Sequence, residues 1–364
     1  MRKHIKNFYI DSYRGINNLN IDDLNLINIF TGDNNSGKTS VLELISTIDN
    51  PQKTHSWIVC SRKSVFQKRK RQFFKGFYNM FPIDSDKKRI SYTFVDENDI
   101  SHNIALVAQI EGTQISEKEM YRINGLLKTG SPKQEDDILD TLCMNLYTYI
   151  NGKKVNEDKI YDFQNKISTF IIKDNTFVKT IYVSPVDHAT DMFNLNYILS
   201  EPELYNDMLN ILQSLDENIT NINAIQAGDS ILYSEYMVFT KNHSKALPLS
   251  SYGDGMKKAM LLLNAVVLAS NGILLLDEFE TAIHTSAMDS VFSWLLQSAI
   301  KLNVQIFLSS HSKEAIEKIL ECNEQLKKYI NLYTLYNFEG KNYVRKMTCE
   351  EAINAKDNLG LELR

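Results

Sequence analysis

Residues 32–39 read Gly-Asp-Asn-Asn-Ser-Gly-Lys-Thr and satisfy G-x-x-x-x-G-K-[ST] at every position. Glycines let successive backbone amides curl around an anion, and the positive end of the following helix adds to the attraction. In such a loop Lys38 reaches the β- and γ-phosphates of a nucleotide and the Thr39 hydroxyl binds Mg²⁺. Gly32, Asn34, Asn35, Ser36, Gly37 and Ser40 complete the candidate cradle. The motif needs a strand before it and a helix after it, and both are predicted. Leu26–Phe30 (LINIF) is a short apolar strand. Ser40–Ile48 (SVLELISTI) places Val41, Leu44, Ile45 and Ile48 at helical spacing.

The last third of the chain repeats that alternation. Gly272–Leu276 (GILLL) reads as a buried strand ending in Asp277-Glu278, and Val304–Leu308 (VQIFL) as one ending in Ser309-Ser310-His311. Gly255–Ala269, Thr285–Leu302 and Lys313–Leu320 read as helices. Apolar strands alternating with helices predict a parallel sheet covered on both faces. Parallel strands bring their C-terminal ends to one edge, where ligands bind. On that edge Asp277 is expected to hold Mg²⁺. Glu278 is placed to act as general base on the attacking water, and His311 to contact the γ-phosphate or that water. Taken alone, the acid pair reads equally as a solvated turn and the histidine as decoration; behind a complete phosphate loop both become site residues. Leu249–Gly255 (LSSYGDG) offers a second anion-binding helix start. It is read either as a cap formed by Ser251 or Asp254 or as a surface closing over a nucleotide held by another copy.

The remainder is less constrained. His4–Asp11 and Leu19–Asp23 predict an antiparallel pair, and Arg89–Val95, Asn103–Ile110 and Phe177–Val183 predict strands. Tyr147–Val155 carries Asn151-Gly152, a hairpin signal. Residues 111–145 are polar and expected to hold short helices, residues 187–223 read as helical, and Ser230–Phe239 starts a hairpin leading to Pro248. A chain of 364 residues suits two domains or one with an inserted lobe. The division expected is 1–186, an ATPase lobe with the phosphate loop, 187–255, a helical lobe and hairpin, and 256–364, the C-terminal ATPase part.

Composition excludes some classes. Hydrophobic residues at 43% and charged residues at 23% exclude general disorder. A net charge of -5 argues against a nucleic-acid coat, though not against a local basic groove. Ser61–Lys75 (SRKSVFQKRKRQFFK) carries seven basic residues among 15, with Phe66, Phe73 and Phe74 interleaved. Arg62–Lys75 is read as a DNA or RNA backbone contact or as a solvated helix face. Cys60, Cys143, Cys322 and Cys349 show no C-x-x-C spacing, so neither zinc nor a disulfide framework is expected. With a charged N-terminus and no uninterrupted apolar span of about 20 residues, a cytoplasmic protein without a membrane partner is expected.

Five segments, SYRGINNLNIDDL, FTGDNNSGKTSVLELI, LPLSSYGDGMKKAMLLLNAVVLASNGILLLDEFETAIH, VQIFLSSHSKEAI and EEAINAKDNLGLELR, together resemble the ABC-type ATPases of the RecF, SMC and Rad50 group. The likeness is closer to the OLD-like, AAA15-type ATPases of bacteria and covers somewhat under half of the chain. It implies an α/β P-loop ABC-type ATPase with a mostly parallel core sheet, an N-terminal antiparallel β-lobe and a helical lobe. Lys38 and Thr39 become the Walker A residues, Asp277 and Glu278 the Walker B pair, and His311 the switch histidine. Ser251 and Gly253 become signature residues that reach the γ-phosphate across a homodimer. Arg14 is expected to approach the nucleotide and His284 to lie near the dimer interface. The signature reads SYGDG where relatives have SGGQ, and Gln109 and Gln114 are candidates for a Q-loop glutamine.

Only 53 residues follow His311, too few for a Toprim nuclease domain, and no heptad insert predicts a coiled-coil arm. The implied activity is hydrolysis of Mg-ATP, with dimerisation around ATP switching a separately encoded effector, a nuclease or toxin, in anti-phage defence or DNA maintenance. The alternative is a nucleic-acid-binding sensor or scaffold that turns ATP over slowly. A nuclease in its own right is disfavoured because no second carboxylate cluster has metal-ligand spacing.

Overall fold

The structure, a computed structural model, describes residues 2–62, 73–83, 88–124, 138–164, 177–185, 187, 195–226, 234–282, 288–321 and 323–359. The chain begins as an antiparallel pair, β1 (Ile5–Tyr13) and β2 (Ile16–Ile21). It enters the core as β3 (Ile27–Thr31) and turns through the phosphate loop into α1 (Lys38–Ser46). α2 (Phe73–Tyr78), β4 (Arg89–Asp96), β5 (Ser101–Ser116), α3 (Glu117–Ile123), β6 (Ile138–Ile150) and β7 (Lys153–Tyr161) follow, and β8 (Thr180–Val183) returns to the core. α4 (Asn196–Ser200), α5 (Pro202–Leu215), β9 (Ile219–Gln226), β10 (Ser234–Thr240) and β11 (Leu247–Pro248) lead to α6 (Asp254–Leu268). The C-terminal part runs β12 (Ile273–Leu276), α7 (Met288–Lys301), β13 (Gln305–Ser309), α8 (Lys313–Glu321), β14 (Ile330–Phe338), β15 (Lys341–Thr348) and α9 (Cys349–Leu359).

The core sheet has the order β15-β14-β3-β13-β12-β8. All its pairings are parallel except β14 with the edge strand β15. β3, β12 and β13 are buried at every residue, which explains why they read as continuous apolar runs rather than alternating ones. Met260, Leu263, Phe292, Leu296 and Ile316 from α6, α7 and α8 cover one face. Val41, Leu44 and Ile45 of α1 cover the other and continue into Phe8, Trp57 and Tyr92. Those last side chains belong to the lobe built on a second sheet, β2-β1-β4-β5-β6-β7, in which every pairing is antiparallel. The fold is therefore the α/β architecture expected: a mostly parallel core, an N-terminal antiparallel β-lobe and a lobe containing α4 and α5.

Two segments depart from expectation. Within 111–145, α3 is the one helix among the described residues; β5 runs on through Ser116 and β6 begins at Ile138. The two strands pair from Ile104↔Ile150 out to Ser116↔Ile138, and at their far end much of the hairpin is exposed on both faces. A strand wetted on both faces need not alternate, so periodicity does not reveal it. Within 187–223, Ile219–Gln226 is a strand and not helix. Met208, Ile211, Leu212, Leu215, Ile219 and Ile222 keep helical spacing across the join, but the helix ends where Asp216 and Asn218 form a turn. The Asn151-Gly152 hairpin forms as expected, with both residues at positive φ (51° and 76°).

Among the described residues no helix is long and apolar enough to cross a membrane. Residues 63–72 of the basic segment, and His284, lie outside the described residues.

Candidate nucleotide site

Four strand ends converge on one edge of the core sheet. Leu276 pairs with both Leu308 and Val183, Ser309 pairs with Phe30, and Thr31 pairs with Thr334. The phosphate loop leaves from the end of β3 at that edge. Its path depends on left-handed backbone at Gly32 (φ 129°), Asn35 (φ 65°) and Gly37 (φ 106°). Asparagine tolerates that region better than most residues, and glycine enters it freely. Gly32 is also pressed against β14: a Cβ there would sit 2.0 Å from the Leu335 carbonyl oxygen. Gly32→Ala is therefore expected to destabilise the fold by about 2–4 kcal/mol, through overpacking and a backbone conformation alanine resists. Urea denaturation checks this; wild-type stability would mean that the loop and β14 can separate at little cost.

Lys38 is 5% exposed, and its ammonium donates to the loop itself: to the Gly32 carbonyl at 2.7 Å, the Asp33 carbonyl at 2.9 Å and Ser36 Oγ at 3.4 Å. Burial pushes its pKa down, while Asp277, Asp33, Glu278 and Glu280 pull it back up. The ammonium thus lies within the field of four carboxylates. α1 has no side-chain cap and no acidic residue in its first turn, so nothing negative competes there for an anion.

Asp277 is 2% exposed and accepts three hydroxyl hydrogen bonds. Thr39 Oγ1 donates to Oδ1 at 3.1 Å and Tyr182 donates to Oδ2 at 3.1 Å. The Ser309 hydroxyl donates to Oδ1 as well, and the same Ser309 oxygen accepts the Glu278 backbone N–H at 2.9 Å. Burial, and then the Asp277 charge, hold the Tyr182 phenol protonated well above its ordinary pKa, so it remains a donor. Glu278 has φ 49°, a left-handed conformation uncommon for a side chain of its size, at the strand-to-turn corner. Thr39 and Asp277 present hard oxygen donors side by side, a set that suits Mg²⁺ completed by phosphate oxygens and water. Among the described residues no group of three or more His, Cys, Asp or Glu side chains could hold a metal ion alone.

His311 is exposed at the end of β13, and its backbone N–H donates to Glu280 Oε1 at 2.8 Å. Ser251 and Gly253 are exposed at the start of α6. No side chain caps that helix, so the capping role considered for Ser251 or Asp254 is not realised. Arg14 is held by groups outside the loop. Its Nε donates to the Tyr13 hydroxyl at 3.1 Å and lies 3.7 Å from Glu43 Oε2, and Nη2 donates to the Cys60 carbonyl. Gln109 and Gln114 are exposed on β5, and Gln114 donates to Asp140 on the neighbouring strand of the lobe hairpin.

Sequence reasoning missed Tyr182, Ser309 and the Glu43–Arg62 pair. Ser309 carried a signal: as the last residue of β13 it had to lie beside the end of β12. Tyr182 carried none, because nothing in the sequence says that β8 lies beside β12.

A phosphate loop between a parallel strand and its helix, joined through a threonine to an acidic strand end, defines a P-loop ATPase of the ABC type. The chain belongs to the family described as "AAA domain, putative AbiEii toxin, Type IV TA system", which matches residues 27–317. It is 23% identical over 332 residues to the ATP/GTP phosphatase of Helicobacter pylori, covering 86% of each chain. It is 33% identical over 108 residues to the DNA replication and repair protein RecF of Clostridium acetobutylicum, 25% of this chain and 30% of that one. Its fold is similar to that of an SMC head solved with the C-winged helix domain of ScpA, at a TM-score of 0.51 and 10% identity, covering 97% of this chain and 100% of the other.

Proposed function

We propose that this ATPase uses Mg-ATP, closes as a homodimer around it, and acts as a switch on a separately encoded effector, as OLD-like ATPases of the AAA15 type would. The observation that carries the nucleotide reading is the junction of Thr39, Asp277, Ser309 and Glu278, which ties the phosphate loop to the acidic strand end through three hydrogen bonds.

Backbone amides of Gly32–Ser40 surround the phosphates, with Asn34, Asn35 and Ser36 lining the loop. Lys38 exchanges the Gly32 and Asp33 carbonyls for β- and γ-phosphate oxygens. Thr39 and Asp277 would hold Mg²⁺, which would neutralise phosphate charge when bound. Glu278 takes a proton from the attacking water as its oxygen bonds to the γ-phosphorus and the bond to the β,γ-bridging oxygen breaks, giving ADP and phosphate. His311 orients the γ-phosphate or that water. Ser251 and Gly253 of a second copy complete the site.

The family description, which names a toxin and a toxin–antitoxin system, supports an effector on one side of the switch. The SMC head held with a winged-helix domain of ScpA supports a protein partner. A cytoplasmic place and a role in anti-phage defence or DNA maintenance belong to the same reading.

Lys38→Ala is expected to weaken ATP binding by about 100-fold or more, since it removes the charge aimed at the β- and γ-phosphates. Titration with a fluorescent ATP analogue measures this. Undiminished affinity would place the nucleotide elsewhere.

A further inference from the structure

The six edge strands of the three sheets are not protected alike. β7 carries Lys153, Lys154, Glu157, Asp158 and Lys159, and β15 carries Lys341, Arg345 and Lys346. Charges of that kind keep an unpaired strand from accepting another chain. β2 lies against β15, where the Asn17 N–H donates to Asn342 Oδ1 at 3.3 Å. β8 and β11 are only four and two residues long. β9 differs from all of these. Its eight residues, ITNINAIQ, include no charge and no proline, and no strand lies on its outer side among the described residues.

The direction of the β9 backbone is fixed. The Ile222 N–H donates to the Tyr205 hydroxyl at 3.4 Å, so it points away from β10. In an antiparallel pair alternate residues turn their N–H and C=O to the same side. Ala224 and Gln226 therefore also present theirs outward. Tyr205 in turn donates to Asn221 Oδ1, which holds α5 against the strand at that point. Beyond Tyr205 the edge opens: Asn223, Ala224 and Ile225 are exposed, Ile225 at 47%. A groove of about 850 Å³ lies between this stretch and the α4–α5 corner. Leu199, Pro202 and Tyr205 give it apolar walls, Asn196 and Asn223 add amides, and no charged side chain lines it among the described residues.

We propose that Asn223–Gln226 is a docking edge for an extended, uncharged segment of a separate protein. The segment adds to β9 as a further strand of the β11-β10-β9 sheet and lays alternate apolar side chains in the groove. Backbone pairing supplies the affinity, and the groove selects the side chains. A charged segment fits poorly, because its charge would lose water there and find no counter-charge. A second copy of this chain fits poorly too. Tyr205 closes the edge at Ile222, so two β9 strands would meet only over their last residues, far less contact than a stable dimer needs. The proposal rests on the reading that this chain acts on a separately encoded protein, and it names the surface and the kind of segment through which it does so.

The test selects displayed peptides of about ten residues on the full chain without nucleotide, then measures their affinity for wild type, Ala224→Pro and Ile225→Lys. Proline removes the outward N–H at a place where an edge strand tolerates it, and lysine supplies the missing edge charge. Enriched peptides are expected to alternate apolar residues and to lose affinity by about 10-fold or more in both variants, with ATP turnover of the variants unchanged. If Ala224→Pro fails to fold, Ile225→Lys carries the same expectation at an exposed side chain. Failure of any peptide to enrich would overturn the proposal, and so would enriched peptides that bind both variants as they bind wild type. A wild-type dimer without nucleotide that Ala224→Pro converts to monomer would give the edge to a second copy and overturn it as well. Saturating peptide added to the ATPase assay separates the two readings. A peptide that binds this edge and leaves turnover unaltered supports the docking edge and counts against the switch.

Discussion

Glu278→Gln is expected to lower ATP turnover by about 10²- to 10⁴-fold, leave ATP affinity within a few-fold of wild type, and trap an ATP-bound dimer. The local geometry separates these effects. The backbone of Glu278 is fixed independently of its side chain, by its N–H on Ser309 Oγ and by the hydrogen bond from the Asp277 N–H to the Val183 carbonyl at 3.0 Å. An isosteric amide therefore leaves the corner in place and removes the proton acceptor. Asp277 keeps its three hydroxyl donors, so the Thr39–Asp277 pair is undisturbed. Phosphate release gives the turnover, and light scattering with and without Mg-ATP gives the mass. Doubling of the mass with ATP in the variant supports the closing switch. Undiminished turnover would assign the water to another group. Loss of affinity would make Glu278 a structural residue of the corner.

What could be read from the sequence was local. The phosphate loop declares itself because each of its residues does work within a few positions of its neighbours, as Gly32, Asn35 and Gly37 do for the turn and Lys38 for its closure. β12 and β13 were legible for the opposite reason: burial on both faces leaves no choice but apolar residues. The groups that connect these pieces were hidden. Tyr182 and Asp277 are 95 positions apart, and Arg62 and Glu43 are 19 apart with a turn between them. Their meeting depends on β8 docking beside β12 and on the turn after α1, neither of which has a sequence signature. Arg14, which a family pattern placed near the nucleotide, lies 3.7 Å from Glu43 of α1, the helix that opens at the phosphate loop, and donates to the Cys60 carbonyl. The core sheet likewise draws β3 and β8 from residues 1–186 and β12–β15 from 256–364, a closure that reading along the chain does not reveal.

Mixing two inactive variants is the larger test of assembly. Lys38→Ala and Ser251→Arg are each expected to reduce turnover by about 100-fold or more on their own, and an equimolar mixture to recover about a quarter of wild-type activity. The fraction follows from two-fold symmetry. Half of randomly paired dimers are mixed, and in each of these one site has both a damaged loop and a damaged signature while the other has neither. The physical case for a contact in trans comes from the glycines. Gly32 is required within its own chain, since a Cβ there strikes Leu335. Gly253 is not: its φ is -64°, and among the described residues nothing lies within 4 Å of a Cβ built on it. An exposed glycine with ordinary backbone, beside an exposed serine and an uncapped helix start, leaves room there for the partner contact proposed. Phosphate release across a range of mixing ratios measures the recovery. A curve that peaks at equal amounts places Ser251 on the partner's nucleotide. Turnover that stays at the level of the separate variants at every ratio would mean that each chain completes its own site, and full activity of Ser251→Arg alone would remove the signature from the mechanism.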